Sequence, residues 1–446
     1  MRSLILLAEM LFLLPLAVYR PFVGVLAFDM ISFLNPQQIS WGIGSYPPWA
    51  LLSFFATIIG WMFSRTEPKS IPLTNTNVLI VLFMIGITIN VPFALSPFAT
   101  EYDAWLRVIK IFVFLLITSA LANSKQRIDA LIWVIIISIG YYILDQGGIA
   151  VITGGAHKAF GPPNSQISDN NAFAAAVLIL VPLMNYLRGQ ARHPIIRTGF
   201  VLAIGLSMLV ALTSYSRGAL LGLVALSGVL WLRSKHKMQS LIAISFALAI
   251  GLAIMPQSWW DRMYSLQHYQ DDASAMGRLY IWGLAWNLAR MHPFTGVGFH
   301  ATDYQWVIDM IVPGGRHMEI HSIWFQIIGE QGFVVAAIWL MMTIAAVLNA
   351  RYVMKVARGR PDLAWASELC RMGQISILVY VVSGTFLPIS CWDIYFTILT
   401  ILTATRLIVV RQIAAEAEKR IFAPRIRAVA PRPAAKPAFG LSRSST

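Results

Sequence analysis

A histidine at the end of a long polar segment is the residue best suited to acid–base chemistry. The segment 256–321 carries histidines, arginines and aromatic residues between apolar stretches, and it closes with PGGRHMEIHS. His321 stands directly before the next apolar run, which begins at residue 322. Imidazole has an ordinary pKa of about 6.5 and can accept a proton at neutral pH. We expect His321 to act as a general base or, alternatively, to cap the following helix or contact lipid headgroups.

Arg217, in the sequence TSYSRG, is a second candidate because of where it falls between two apolar runs. The charge pattern described below places this turn on the side of a membrane where basic residues are not expected. A cation at a membrane boundary or inside a helix bundle is costly unless it is paired or functional. We expect Arg217 either to form an anion site near the outer leaflet or to extend its side chain to lipid headgroups.

Weaker candidates for contacts with carbohydrate lie in polar loops. The loop 146–170 is rich in glycine, proline and amide side chains, which match sugar hydroxyls but also suit an ordinary surface turn. The candidates of this kind are Lys158, Asn170, Asn171, Arg316 and His317.

A metal site is the weakest hypothesis. His317 and His321 are four residues apart, so in a helix they would share one face and could ligate a metal. Only Glu319 lies close in sequence, and no clear further ligand is present, so we predict no metal and no other cofactor.

Two further features of the polar region favour structural roles. The sequence FTGVGFH is not a nucleotide-binding fingerprint, because no strand precedes it, but Gly296 and Gly298 permit a tight turn or a close backbone approach to a ligand. Glu330 would lie about 13 Å beyond His321 along a helix, at a depth where a carboxylate is either functional or a buried partner of another helix. We favour the buried partner.

The elements that position these residues are membrane helices. Hydrophobic residues make up 57% of the 446 residues and charged residues only 12%, with a mean hydropathy of +0.67. This composition excludes a soluble globular protein and predicts an all-α polytopic membrane protein with about 12 transmembrane helices. The predicted apolar runs are 4–18, 21–35, 49–64, 75–95, 106–122, 128–145, 171–187, 198–213, 217–233, 238–255, 322–349, 371–389 and 391–410. The first two runs are short and meet at Tyr19-Arg20-Pro21, so they predict either two tilted helices or one crossing and a re-entrant piece.

The net charge of +14 comes mainly from short loops and the C-terminal tail. Basic residues recur in every second loop, which is the positive-inside pattern of a membrane protein rather than a nucleic-acid surface. The long segment 256–321 therefore falls on the extracytoplasmic side, where it is expected to contain amphipathic helices. We predict a transmembrane domain over 1–410, including this segment, followed by a basic, disordered cytoplasmic tail over 411–446.

Three stretches in the second half of the chain resemble the O-antigen ligase and polymerase superfamily of bacterial envelopes. They are TSYSRGALLG, GRLYIWGLAWNLARMHPFTGVGFH and HSIWFQIIGEQGFV, in that order and separated by apolar runs. The N-terminal stretch RPFVGVLAFDMISFLNPQQISWG resembles the O-glycosylation ligase branch. Many relatives have His-Asn where this chain has His321-Ser322.

The resemblance implies an enzyme of the bacterial inner membrane with its active site facing the periplasm. It would transfer a glycan, with inversion and without a metal, from an undecaprenyl pyrophosphate carrier to a hydroxyl of lipid A–core in lipopolysaccharide biosynthesis. It further implies that Arg217 and Arg278 bind the pyrophosphate and that His321 is the catalytic base. The alternatives are a glycan polymerase, a protein O-oligosaccharyltransferase and, outside enzymes, a flippase for lipid-linked glycans. The charges gather at one face rather than along a path through the bundle, which favours the enzyme.

Overall fold

The described part of the chain is helical throughout in the computed structural model. The structure describes residues 2–234, 236–264 and 273–422, and no strand occurs among them, which confirms the predicted all-α class. In chain order, the α-helices are α1 (Arg2–Tyr19), α2 (Pro21–Leu34), α3 (Pro36–Ile39), α4 (Trp49–Phe63), α5 (Asn75–Asn90), α6 (Phe98–Leu121), α7 (Lys125–Ile152), α8 (Asn170–Gln190), α9 (Pro194–Thr213), α10 (Arg217–Arg233), α11 (Lys237–Ala253), α12 (Gln257–Tyr264), α13 (Ala273–Met291), α14 (Gln305–Asp309), α15 (Ile323–Val356), α16 (Ala364–Gly384) and α17 (Asp393–Phe422).

Each apolar run predicted from the sequence coincides with one of these helices. Among the described residues, 8 helices are long and apolar enough to cross a membrane, or up to 9 if the bent pair α11 and α12 forms one span. The chain is therefore a polytopic membrane protein. Helices α2 and α4 are apolar but shorter, so the predicted total of about 12 crossings stays a prediction.

The first two apolar runs form two separate helices that pack against each other and against α4. The break falls at Arg20, whose backbone leaves the helical region with φ −128° and ψ 86°. Pro21 then occupies the first position of α2, where its missing N–H costs nothing because the first turn of a helix has no intrahelical partner for it. The sequence Tyr19-Arg20-Pro21 thus ends one helix and begins the next.

Helix α8 lies in the centre of the bundle, with α7, α9, α10 and α16 packed around it. Its sequence AFAAAVLILVPL is buried on every face. In a membrane, small side chains such as these alanines stabilise a bundle by letting neighbouring helices approach closely. Because α8 begins at Asn170, this central helix also fixes the position of the polar loop that precedes it.

Loops that the charge pattern assigns to the same side of the membrane contact each other. On the predicted cytoplasmic side, Arg127 forms a bidentate ion pair with Glu67, at 2.6 and 2.7 Å. On the predicted outer side, the backbone N–H of Leu95 donates to the carbonyl of Val297 at 2.7 Å. Each of these two contacts joins loops that the positive-inside pattern assigns to one side of the membrane.

The long outer segment contains two helices of substantial length. Helix α12 turns by 109° from α11, and α13 ends at Met291, directly before His292-Pro293. The chain divides into two units, 1–409 and 410–446. Helix α17 continues to Phe422, so the segment predicted as a disordered tail begins in a helix, where IAAEAEKR supplies strong helix formers. The rest of the predicted tail, 423–446, lies outside the described residues.

Candidate active site

A polar cavity of about 510 Å³ lies where the outer loops converge on α6, the first turns of α8 and α15, and the turn before α17. Its walls include the loop that leads into α8, the residues that follow α13, and the turn between α16 and α17. Of the residues predicted to form the site, His321, Asn170 and Asn171 line this cavity. Within the lining, polar groups come from elements far apart in sequence, so the cavity exists only in the folded bundle.

His321 lies in the extended segment that leads into α15 and is held by contacts on both its ring and its backbone. Its ring Nδ1 is 3.0 Å from the carbonyl oxygen of Glu319. The indole N–H of Trp282, on α13, donates to the carbonyl of His321 at 3.1 Å. A carbonyl can only accept a hydrogen bond, so the proton of the neutral ring resides on Nδ1 and the lone pair on Nε2.

The electrostatic surroundings keep the His321 ring neutral. Burial lowers the pKa of His321 below its ordinary value, and the positive charge of Arg278 lowers it further. The hydrogen bond to Glu319 and the charge of Asp169 act in the opposite direction but are weaker. At neutral pH the ring is therefore unprotonated, as a proton acceptor must be.

Arg278 reaches this region because α13 packs against α15. One face of α13 forms a buried apolar cluster with Ile320, just before His321, and Trp282 stacks on Phe325 with ring centroids 5.3 Å apart. The members of the cluster contributed by α13 are Ile281, Leu284, Ala285 and Leu288. This packing holds Arg278 close enough for its charge to act on His321.

Arg217 is the first residue of α10 and follows a constrained turn. Tyr215 adopts the left-handed conformation with φ 57°, and the Ser216 hydroxyl caps the helix by accepting from the N–H of Ala219 at 3.2 Å. An Nη2 group of Arg217 donates to the carbonyl of Arg262, on α12, at 3.3 Å. Arg262 in turn donates through Nε to the carbonyl of Tyr215 at 3.0 Å. The two arginines join α12 to the start of α10.

Lys158 extends this group of cations. Burial lowers its pKa, and the nearby charge of Arg262 lowers it further, whereas Asp169 opposes the shift. Lys158 and Arg262 therefore lie within electrostatic reach of each other and of the loop that lines the cavity. Arg262 was not among the predicted site residues. Its position in the aromatic sequence QSWWDRMY, which indicates an interfacial helix, gave no signal that it would meet Arg217.

The remaining predicted contacts divide into two groups. Asn170 and Asn171 line the cavity, although the side chain of Asn170 also donates to the carbonyl of Ser214 at 2.7 Å and so helps to hold the fold. Arg316 and His317 are exposed, and neither belongs to the cavity lining. The His317 ring lies 3.4 Å from the side-chain oxygen of Gln305. The structure therefore does not bring Arg316 and His317 to the cavity.

The glycines of the sequence FTGVGFH pack closely against neighbouring protein atoms, whereas Phe299 and His300 at its end line the cavity. Helix α15 is interrupted at Gly332, which has φ 75° and ψ 174°, and the loop fits into the gap. The N–H groups of Val297 and Gly298 donate to the carbonyls of Gly329 and Glu330 at 3.0 and 2.9 Å. A Cβ on Gly296 would lie 2.4 Å from the carbonyl of Glu330. Glycine is therefore required for the loop to clasp α15.

Two buried carboxylates complete the clasp. The Glu330 side chain accepts from the N–H of His300 at 3.3 Å and from Gln326 at 3.4 Å. Glu101, on α6, accepts from the N–H of Phe299 at 2.7 Å and from Ser96 at 2.8 Å. Glu330 thus has a partner of the kind favoured from the sequence, although that partner is the loop after α13 rather than another helix.

Arg107, His300 and Glu319 also line the cavity and were not predicted as contacts for a substrate. Arg107, within α6, could have been found as a cation in an apolar run. Burial lowers the pKa of His300, against the opposing charge of Asp303, and the charge of Arg107 lowers it further. Burial and the nearby Asp303 and Asp169 raise the pKa of Glu319 to about 7. His300 gave no signal in the sequence and Glu319 was considered only as a metal ligand, because their burial depends on the fold.

The geometry needed for the metal hypothesis is absent. His317 and His321 lie in an extended segment before α15, so they do not share a helical face. Within 2–234, 236–264 and 273–422, no three His, Cys, Asp or Glu side chains are grouped in a way that could hold a metal ion. The Ser322 hydroxyl, next to His321, is buried and has no hydrogen-bond partner among these residues.

Comparison with known families matches two segments of the chain. Residues 200–340 match the family described as O-antigen ligase, and residues 1–192 match a family of unknown function (DUF5935). A search of curated proteins finds no match to this chain. The first matched segment contains Arg217, Arg278 and His321, and its family consists of enzymes that transfer glycosyl groups. The match over residues 200–340 supports membership of the O-antigen ligase/polymerase superfamily.

Proposed function

We propose that this protein is an O-antigen ligase of the bacterial inner membrane, active at the periplasmic face. It transfers a glycan from a polyprenyl pyrophosphate carrier to a hydroxyl of lipid A–core. The observation that carries the proposal is the His321 ring, held through Nδ1 at 3.0 Å from the Glu319 carbonyl beside a polar cavity. This arrangement leaves Nε2 as a proton acceptor for an incoming hydroxyl.

The leaving group requires positive charge on the opposite side of the anomeric carbon. When the carrier pyrophosphate departs, negative charge develops on its oxygens, and preorganised donors stabilise that charge. Guanidinium groups offer permanently charged, bidentate donors for phosphate oxygens. Arg278, within electrostatic reach of His321, and Arg217, joined to α12, are the residues that we assign to this role.

The reaction follows as a direct displacement. The acceptor hydroxyl loses its proton to Nε2 of His321, and its oxygen forms a bond with the anomeric carbon. The bond between that carbon and the pyrophosphate oxygen breaks, and its electron pair leaves with polyprenyl pyrophosphate. Attack from the opposite face inverts the configuration. Arg217 and Arg278 supply the positive charge for departure, so the proposed step needs no metal ion.

The carrier chain fits the surroundings of Arg278. The side chains of Met276 and Leu279, on either side of Arg278 in α13, are 43% and 50% exposed. Exposed apolar side chains beside an arginine match a ligand that joins a hydrocarbon chain to a pyrophosphate. A lipid-linked donor and a lipid-linked acceptor are also confined to the same leaflet, which favours their encounter at the membrane surface.

An in vitro transfer assay tests the proposal. Purified protein is mixed with polyprenyl-pyrophosphate glycan and lipid A–core, with and without EDTA, and the products are separated by mass. Glycosylated lipid A–core, formed equally in EDTA, is the expected product. A lengthened glycan on the carrier would instead identify a polymerase. Loss of transfer in EDTA, restored by a divalent cation, would contradict the metal-independent step.

A further inference from the structure

A second groove, of about 820 Å³, lies between α2, α4, α6 and the start of α17. Its size is within the range of about 300–1,000 Å³ typical of ligand sites. The walls are mainly aromatic and aliphatic, with Phe28 and Phe33 from α2, Trp49 and Phe54 from α4, and Ile111 from α6. Such a surface suits hydrocarbon rather than sugar.

Two cations line one wall of this apolar groove. Arg107 and Lys110 are three residues apart on α6, so they lie on one face of a helix long and apolar enough to span a membrane. Neither side chain forms a hydrogen bond or an ion pair with any residue that the structure describes. The groove contains one carboxylate, Asp393, which accepts from the N–H of Ile394 at 2.8 Å. Intramembrane cations are costly unless they serve a ligand or a partner.

The groove adjoins the cavity of His321. Four residues line both spaces: Arg107, Ser165, Gln166 and Trp392. The loop that carries Ser165 and Gln166 is fixed above the groove, because the Asn35 side chain donates to the carbonyl of Pro163 at 2.7 Å and Asn164 donates to Gln38 at 3.0 Å. A ligand whose hydrocarbon fills the groove would therefore place its polar end toward the cavity.

One polar atom at the groove indicates a ligand with hydroxyl groups. The side-chain oxygen of Gln37 is buried and accepts no hydrogen bond from any residue within the described ranges. A buried acceptor without a donor is unfavourable, and a sugar hydroxyl would supply the missing donor. The groove thus combines an apolar wall, two cations and an unused acceptor.

We propose that this groove binds the acceptor, as a glycolipid that carries phosphate at its lipid end. The inference rests on the proposed function and assigns a binding site to its acceptor. The acyl chains lie against α2 and α4, the phosphate contacts Arg107 and Lys110, and the sugars extend past Ser165 and Gln166 to His321. The donor approaches His321 from the side of Arg278, so the two lipid-linked substrates reach the base from different sides.

Binding without turnover tests the groove independently of catalysis. Full-length protein in nanodiscs is titrated with fluorescent lipid A–core, with and without its phosphates, in the absence of donor. We expect Lys110→Gln to weaken binding of the phosphorylated form about tenfold and to leave the weaker binding of the dephosphorylated form unchanged. Phosphatidylglycerol, added in excess, should not displace the probe. Arg192→Gln, an exposed cation in the loop after α8, is the control and should bind normally.

A matched pair on α4 tests the apolar wall. Leu51 and Leu52 are both 38% exposed, but only Leu51 lines the groove. Leu51→Trp should fill the groove and abolish probe binding, whereas Leu52→Trp should bind as the unmodified protein does. Equal effects of the two substitutions would overturn the proposal.

The remaining outcomes separate this inference from the proposed function. If Lys110→Gln raises the KM for the donor and leaves binding of lipid A–core unchanged, the groove holds the carrier chain and the inference is wrong. Displacement of the probe by phosphatidylglycerol would identify a site for ordinary anionic lipid and would also overturn it. If no transfer is detected but binding depends on phosphate, Lys110 and Leu51, the acceptor groove stands and the transfer reaction fails.

Discussion

At the scale of single residues, the site depends on keeping one imidazole neutral beside permanent positive charge. An arginine near His321 disfavours a second cation, so it lowers the pKa of the histidine that must accept a proton. In the proposed mechanism the same arginine binds the leaving pyrophosphate, so one residue would affect both the pKa of His321 and the binding of the donor. A change at Arg278 should therefore alter both donor binding and the pH dependence of transfer.

The pH profile separates Arg278 from Arg217. Burial and Arg278 lower the pKa of His321, so the imidazole stays neutral at pH values below its ordinary pKa of about 6.5. The fall of log kcat/KM on the acid side of the pH profile should therefore occur below about pH 6.5. Removing the cation in Arg278→Gln raises the pKa of His321 and moves this fall to higher pH. Arg217→Gln should raise the donor KM without moving the fall, because Arg217 is not among the groups that shift His321. If kcat/KM falls at the same acid pH in Arg278→Gln and in the unmodified protein, this coupling between Arg278 and His321 is contradicted.

Residues whose chemistry is unusual for their position could be found from the sequence, such as His321 before an apolar run and Arg217 on the predicted outer side of the membrane. Arg262 was not found, and Glu319 was considered only as a metal ligand, since an arginine in an aromatic interfacial helix and a glutamate in a polar loop are ordinary there. Their surroundings arise from contacts between distant elements, with Arg262 binding the Tyr215 carbonyl and Glu319 lying near Asp169. Resemblance to a family was needed to assign a role to Arg278.

At the scale of elements, the loop after α13 and the break in α15 form one structural unit. The loop donates backbone hydrogen bonds to α15 at the point where Gly332 interrupts the helix. The N–H of Phe333, beyond the break, donates to the carbonyl of Pro293 at 2.8 Å. The clasp holds His300 beside Glu330, and both residues line the cavity. The glycines were visible in the sequence, but their partner was not.

A glycine substitution tests this unit. Gly296 has φ +66° and no room for a Cβ against the backbone of Glu330, so Gly296→Ala should destabilise the fold by more than the roughly 1–2 kcal/mol of the left-handed conformation alone. Gly283, in the middle of α13, has open space where a Cβ would lie, and Gly283→Ala should stabilise its helix by about 0.5–1 kcal/mol. Thermal unfolding in detergent measures both. An unchanged Tm for Gly296→Ala would show that the loop does not clasp α15.

At the scale of the whole molecule, the helix positions and the grouping of the loops followed from hydropathy and charge alone. Apolar runs must be helices because the membrane leaves no other partner for their backbone groups. The order in which the helices pack did not follow, because inside a membrane the faces that meet are chosen by close contact rather than by hydrophobicity. The burial of α8 at the centre is one such arrangement, and the meeting of α6, α15 and the turn before α17 at the cavity is another.

Cysteine labelling tests the predicted orientation. In a background where Cys370 and Cys391 are replaced, Arg316→Cys should react with a membrane-impermeant maleimide in intact cells, because the segment before α15 is predicted to face the periplasm. Arg192→Cys, in the loop between α8 and α9, should react only after the membrane is opened. Both positions are exposed, so accessibility within the protein does not separate them. Labelling in the reverse order would invert the proposed topology.

The most direct measurement of the central claim is the rate of glycan transfer by His321→Ala in the purified system. Loss of a general base should lower kcat by about 10²–10⁴-fold while the donor still binds. His292→Ala, a histidine of the same outer segment that does not line the cavity, should retain full activity. A His321→Ala protein that transfers glycan at the rate of His292→Ala would contradict the assignment of His321 as the base.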